Sequence, residues 1–380
     1  MSVASGFLRR VRIENFRSIA LCDVELSRLN FLIGPNGAGK TNFLDALRFI
    51  RDSLANPLDQ AFSLRRSNFV SLRHVPADGG ARIGLGIDFA LGDFGAGHYG
   101  FEIEPFSPRG WRIASEICSI GEHSFRREGE TIKEATFTNP PAVSPFRLYL
   151  SNASGLEPFG KLYQELTAFE FYEPDPFNIR QDTGDSGSEL RLESDGDNLA
   201  LIFDQLSEES KSAVVSRLRA IVPELRDVTI LTLKGRRFLR FQQFAADFFA
   251  NPMSDGTLRA LAILVAASQP EVLSGRLPLI TFEEPETGVH PGAVGVLLEA
   301  IEEASHFTQI IVTSQSSDLL NDRSIPVESL LATETIEGST LIGRIDPGSR
   351  EVLLNKLFTP GELMRETRIH PERPPVYQRT

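Results

Sequence analysis

Cysteine is nearly absent: Cys22 and Cys118 are the only two in 380 residues. Thiols so far apart in sequence build neither a disulfide framework nor a thiolate zinc site, and they read as two small buried side chains. The histidines, at positions 74, 98, 123, 290, 306 and 370, fall without ligand spacing, so no zinc site is expected. No run approaches the roughly 18 apolar residues of a membrane helix, and the opening MSVASGFLRRVRIENF lacks the apolar stretch of a signal peptide. The expectation is a cytoplasmic chain with no membrane partner. No internal repeat or sustained heptad is visible, which excludes long coiled-coil arms. Positive charge is also in deficit. Lys and Arg number 39 against 51 Asp and Glu, a formal net charge of -12, which argues against a chain that coats nucleic acid wholesale but leaves room for a local basic patch.

What remains is ordinary globular material, 41% hydrophobic and 24% charged, enough for one large domain or two modest ones. Residues 10–16 and 23–33 read as strands, the second ending abruptly at Gly34. Beyond it, 42–55 sets Phe43, Leu44, Leu47, Phe49 and Ile50 at helical spacing and leaves Asp45, Arg48 and Arg51 for the outer face. Short alternating pieces between 81 and 137, separated by Gly and Pro, predict an antiparallel meander. Residues 182–188 read as a polar loop. Apolar positions in 198–225 predict two helices broken near 207–210, and 228–241 a hairpin with Lys234-Gly235 at its tip.

The stretch Gly34-Pro35-Asn36-Gly37-Ala38-Gly39-Lys40-Thr41 fits the pattern G-x-x-x-x-G-K-[ST] between a predicted strand and a predicted helix. Glycines let backbone N–H groups turn inward on phosphates, Lys40 supplies a point charge near the β- and γ-phosphates, and the Thr41 hydroxyl can ligate Mg²⁺. Chance would produce the pattern in roughly one chain in a hundred of this size, and the flanks reduce that further.

Far downstream, the apolar strand 277–282 runs into Glu283-Glu284-Pro285-Glu286, so carboxylates emerge together where a buried strand meets a loop. Glu283 can hold a metal and Glu284 can polarise an attacking water; the alternative is a solvated acidic turn, and Glu286 has a structural reading. Met253-Ser254-Asp255-Gly256-Thr257 precedes a buried apolar helix and reads, by itself, as an N-cap.

Together these pieces resemble the ABC-type ATPase superfamily, in the RecF, SMC and OLD-like branch of stand-alone heads. The resemblance covers roughly residues 8–60 and 240–325. It implies an α/β P-loop NTPase head with a mixed or parallel central sheet, an antiparallel β meander and a helical insert, and a chain that binds and hydrolyses ATP with Mg²⁺. The implied divisions are 1–150 (P-loop and antiparallel region), 151–240 (helical and hairpin insert), 241–345 (signature, Walker B and switch) and 346–380 (tail).

In that comparison Gly34, Asn36, Gly37, Ala38, Gly39, Lys40, Thr41 and Asn42 hold the nucleotide, and Thr41 and Glu283 hold the metal. Glu284 and Gln315 are catalytic. Ser254 and Gly256 belong to a signature motif that reaches the nucleotide of a second copy, which implies an ATP-dependent homodimer. Residues 287–291 look like the D-loop region, and Asn15-Phe16-Arg17-Ser18 like the opening strand motif, with Arg17 approaching the nucleotide. Gln181 is a candidate for the Q-loop. Residues 309–320 resemble the switch, where relatives usually carry histidine at the position of Gln315; glutamine cannot become a cation, so slow turnover is implied.

A transporter head places its signature much closer to its P-loop, and an OLD protein has a nuclease-like domain after the switch, for which little chain is left here. The expected output therefore passes to a separately encoded effector, in DNA repair or phage defence, with DNA a further candidate partner. Lys234, Arg236, Arg237 and Arg240 with Phe238 could grip phosphates or stack on bases, and read equally well as a solvated hairpin. Arg365, Arg368, Arg373 and Arg379 give the last stretch a basic character with no function assigned. The rival reading is a nucleotide-dependent scaffold or sensor with little turnover that holds its effector.

Overall fold

The computed structural model describes residues 6–74, 82–107, 110–181, 191–244, 246–321, 325–366 and 368–372. In chain order they form β1 (Leu8–Phe16), β2 (Ile19–Glu25), β3 (Leu29–Ile33), α1 (Lys40–Ala55), α2 (Leu58–Leu64) and α3 (Phe69–Leu72). Next come β4 (Ile83–Ala90), β5 (Ala96–Glu104), β6 (Arg112–Ile120), β7 (His123–Glu128), β8 (Thr131–Ala135), α4 (Tyr149–Ala153) and α5 (Phe159–Thr167). The middle holds β9 (Glu170–Tyr172), α6 (Pro176–Ile179), α7 (Leu199–Gln205), α8 (Glu208–Ile221), β10 (Leu225–Leu233), β11 (Arg236–Gln243) and β12 (Ala246–Phe249). Then follow α9 (Asp255–Ala267), α10 (Pro270–Leu273), β13 (Leu279–Glu283), α11 (Val294–Ala304), β14 (Gln309–Ser314), β15 (Leu330–Ile336), β16 (Ser339–Arg344), α12 (Pro347–Leu354) and α13 (Pro360–Arg365). The polar loop expected at 182–188, and Arg373 and Arg379, lie outside the described residues.

These elements gather into two compact units, Met1–Phe169 with Val327–Asn355 and Arg368–Thr380, and Glu170–Pro326 with Lys356–Thr367. The first unit holds the expected meander: β2-β1-β4-β5-β6-β7-β8 pair antiparallel in that order. β1 shows why. Val11 and Ile13 are fully buried with Arg10, Arg12 and Glu14 at least partly exposed around them, the alternation of a half-buried strand. A register shift between Leu8 and Arg10 and a positive φ at Asn15 accompany the burial of Leu8 and Phe16 out of that period. The strand expected over 23–33 is divided. Asn30 accepts from the Ser27 amide (2.8 Å) and donates to the Ser27 carbonyl (2.7 Å), a side-chain turn that competes with the ladder and separates β2 from β3. β3 lies parallel to β15, which pairs antiparallel with β16, so the arrangement is mixed.

One buried ion pair sits in the meander. Glu116 and Arg127, both essentially without solvent exposure, approach to 3.6 Å. The Glu116 carboxylate also accepts from the Tyr149 and Leu150 amides and the Tyr99 hydroxyl, and Arg127 donates to the carbonyls of Gly129, Ser144 and Arg147. Charges taken this far from water persist only where every lone pair and proton has a partner.

In the second unit β9, β13 and β14 run parallel. β14 is buried at every position and β13 at all but its last, which fits the apolar runs 310–312 and 279–280 within them rather than an alternation. The two helices expected over 198–225 are α7 and α8, with Ser207 capping the second. The hairpin is β10 and β11, turned by Lys234 and Gly235, both at positive φ as a two-residue turn requires, and β12 adds a third strand.

Candidate nucleotide site

In the first unit, β3 delivers the chain into the loop 34–39 and α1 takes it away. Gly39 is the N-cap of α1 at φ 99 and supplies no side-chain cap to the first turn of this 16-residue helix. A side chain at Gly39 would also collide with Thr340, whose Oγ1 lies 2.1 Å from where a Cβ would stand. Gly37, at φ 76, faces open space. Asn36, Gly37 and Thr41 are exposed and Ala38 is buried. Lys40 is 6% exposed and its Nζ donates to the carbonyls of Gly34 (2.9 Å) and Pro35 (3.1 Å), which holds the ammonium over the loop. Asn42 Nδ2 donates to Ser18 Oγ (2.6 Å), and Ser18 bonds Thr340 (2.7 Å), tying the opening strand motif to the start of α1. Thr335 donates to the Gly37 carbonyl (3.2 Å). Glycines, an uncapped helix start and a buried ammonium fit an anionic phosphate chain.

One expectation is corrected here. Asp45, assigned to the outer face of α1, is buried, because Arg17 (2.6 Å) and Arg65 (2.9 Å) both donate to its carboxylate. Arg17, expected near the nucleotide, pairs with Asp45 through its Nε.

In the second unit the carboxylates stand at the end of β13. Glu283 is its last residue, and Glu284 leaves it at φ 44, a left-handed conformation that costs a non-glycine residue about 1 kcal/mol or more. Its amide donates to the carbonyl (3.0 Å) and the hydroxyl (3.2 Å) of Thr313. Gln315 Nε2 donates to Glu284 Oε2 at 3.0 Å, so the two residues expected to be catalytic are joined directly. Glu286 is buried, accepts from Ser314 Oγ (2.6 Å), and leaves Oε2 without a hydrogen-bond partner. Burial raises its pKa, and the Glu284 charge adds to the rise, against the Ser314 hydrogen bond.

Ser254 is the N-cap of α9, accepting from the Thr257 amide (3.1 Å). Gly256 packs so closely on the residues after the carboxylates that a Cβ would lie 1.9 Å from the Gly288 carbonyl. Asp255 is held by Arg180 (2.6 Å), which also donates to the Met253 carbonyl (2.8 Å). Gln181 is exposed and bonds the Phe177 carbonyl (3.3 Å). His290 accepts from the Gly292 amide, a loop-capping role. In the basic hairpin, Arg237 donates to Asp204 (2.9 Å), and Arg240 to Thr229 (3.0 Å) with Asp247 at 3.5 Å, so these cations are partly neutralised locally.

Sequence reasoning missed Arg180, Thr313 and Ser314. Nothing in the local sequence of Arg180 signals its partner, which lies 75 positions away. Thr313 and Ser314 are the last residues of the strand that carries Gln315, and a hydroxyl pair there was the available signal.

The fold is that of an ABC-type P-loop ATPase head. It is similar to the SmcHead bound to the C-winged helix domain of ScpA, at 12% identity and a TM-score of 0.55 over 88% of this chain and 96% of that one. It is also similar to the Smc head domain with an extended coiled coil bound to the C-terminal domain of ScpA derived from Pyrococcus furiosus, at 11% identity and a TM-score of 0.56 over 92% and 99%. Such likeness is one of fold alone. The chain belongs to the family described as "AAA domain, putative AbiEii toxin, Type IV TA system", whose model matches residues 123–321, more than half of it. A second model, "AAA ATPase domain", matches residues 7–76. Among curated proteins, the DNA replication and repair protein RecF of Vibrio cholerae is 56% identical over 41 residues, 10% of this chain and 11% of RecF. RecF of Aliivibrio fischeri is 54% identical over the same length and shares. The chain thus spans about a tenth of the curated relatives it matches. Among the described residues, no helix is long and apolar enough to cross a membrane.

Proposed function

We propose that the chain binds Mg-ATP and hydrolyses it slowly as an ATP-dependent dimer that gates a separately encoded effector. The contact between Gln315 and Glu284 is the observation that carries this reading, because a loop amide and a strained carboxylate have been brought together where water would be activated. The P-loop amides, Lys40 and Asn42 bind and orient the phosphates. Thr41 and Glu283 are the residues that would hold Mg²⁺, which when bound offsets charge on the phosphates and the leaving group. Glu284 accepts the proton of the attacking water at its carboxylate, and Gln315 fixes that carboxylate by donating to Oε2. Ser254 and the glycine-only approach at Gly256 present the start of α9 to the nucleotide of a second copy. Release of phosphate from the wild type and its loss in Glu284→Gln test the assignment. An inactive wild type contradicts it.

A second reading keeps nucleotide binding and the dimer but removes turnover, leaving a scaffold that holds its effector. The specific feature in its favour is the side chain of Gln315, which cannot carry the positive charge that would offset a developing phosphate charge. The two separate on Glu284→Gln: an enzyme loses its output, whereas a scaffold is merely locked closed. Contact with DNA through the exposed Lys234 and Arg236 at the hairpin tip completes the proposal.

A further inference from the structure

The helix α13 folds back onto the segment that carries Gln315. Arg365 Nε donates to Ser317 Oγ (2.9 Å) and its Nη2 to Asp318 Oδ1 (2.6 Å). Thr359, in a capping box with Glu362, donates to Asn321 Oδ1 (2.8 Å). Between these contacts the backbone of Gly361 approaches so closely that a Cβ there would lie 2.0 Å from the Ser317 carbonyl and 2.5 Å from Asn321 Oδ1. Residues 315–318 belong to no helix or strand. The other end of the segment is fixed by Ser314 on Glu286 and Gln315 on Glu284.

Burial of Pro360 and Leu363 anchors α13, so its exposed ion pair is not needed to hold the helix in place. Arg365 and Asp318 are 53% and 42% exposed, and a surface pair of that kind adds little to stability. A glycine-only approach and a two-pronged arginine define a position better than they define a stability.

We propose that α13 is a strap that holds the 315–318 segment so that the Gln315 amide stays on Glu284, with Gly361 and Arg365 as positioning residues. The inference rests on Glu284 being the base for hydrolysis. It adds control of that base from a part of the chain remote from it in sequence.

The test uses the full chain carrying Gly361→Ala, with Arg365→Ala as a second variant whose loss of an exposed pair leaves folding intact. Amide hydrogen exchange across 315–321 and single-turnover hydrolysis of bound ATP are measured together with affinity for a fluorescent ATP analogue. Expected are exchange faster by about tenfold and hydrolysis slower by about tenfold, with affinity within about twofold of wild type. Unchanged exchange in both variants overturns the strap. Faster exchange with unchanged hydrolysis overturns its role in positioning the base. If the wild type releases no phosphate, the ATPase reading fails together with the strap's catalytic role, and the exchange data alone decide whether α13 holds the segment.

Discussion

Gln315 Nε2 donates to Glu284 Oε2 at 3.0 Å, across a separation of 31 residues. The bond joins the end of a buried parallel strand to the loop that leaves its neighbour, and it sets the chemistry available there. An amide orients a carboxylate but cannot place a positive charge beside a phosphate. Gln315→His should therefore raise single-turnover hydrolysis several-fold, whereas Gln315→Leu should lower it about tenfold with nucleotide affinity unchanged; rapid-quench kinetics read both.

Gly39 makes a sharper prediction about binding. A methyl group there meets Thr340 and a backbone at φ 99 that L-residues rarely adopt. Gly39→Ala should weaken ATP binding at least tenfold by calorimetry, and Lys40→Ala should do the same without the backbone strain.

The buried pair in the meander predicts a stability effect with no change in chemistry. Arg127→Met leaves Glu116 buried and without its cation, and should cost about 3–5 kcal/mol in urea unfolding. The double variant Glu116→Leu/Arg127→Met should recover a substantial part of that loss.

Glu286 gives a pH dependence with a definite sign. Burial raises its pKa in the folded chain, so the folded state holds the proton more tightly than the unfolded state does. Its contribution to stability is fully present below the ordinary glutamate value and is lost as pH rises through the raised one. Glu286→Gln removes this term, so the stability of the variant relative to wild type should grow with pH over that window in urea titrations.

The hairpin predicts a salt-dependent contact. Arg236→Glu with Lys234→Glu should weaken binding to duplex DNA and flatten its dependence on salt by about one slope unit per lost phosphate contact. Arg237→Glu would also disturb the Asp204 pair, so it is the less clean test.

Much of the frame was legible because local pattern dictates it. The P-loop between strand and helix, the alternating meander, the Ser254 cap and the mostly apolar β13 each follow from short stretches of sequence. What was not legible depends on partners distant in sequence. Asp45 reads as an outward residue until Arg17 and Arg65 converge on it. The division of 23–33 hangs on one asparagine, and α13 shows no sequence sign that it returns to residues 317–321. The pairing of Gln315 with Glu284 lies between these cases: both were singled out as chemical groups, but nothing in their spacing placed one on the other.

The central claim, that this head is an ATP-driven engine working through Glu284, is tested most directly by sedimentation of wild type and Glu284→Gln with and without Mg-ATP, with phosphate followed in the same samples. The account predicts that ATP shifts the variant to a dimer while the wild type releases phosphate. A mass indifferent to ATP, with no phosphate from either protein, would contradict it.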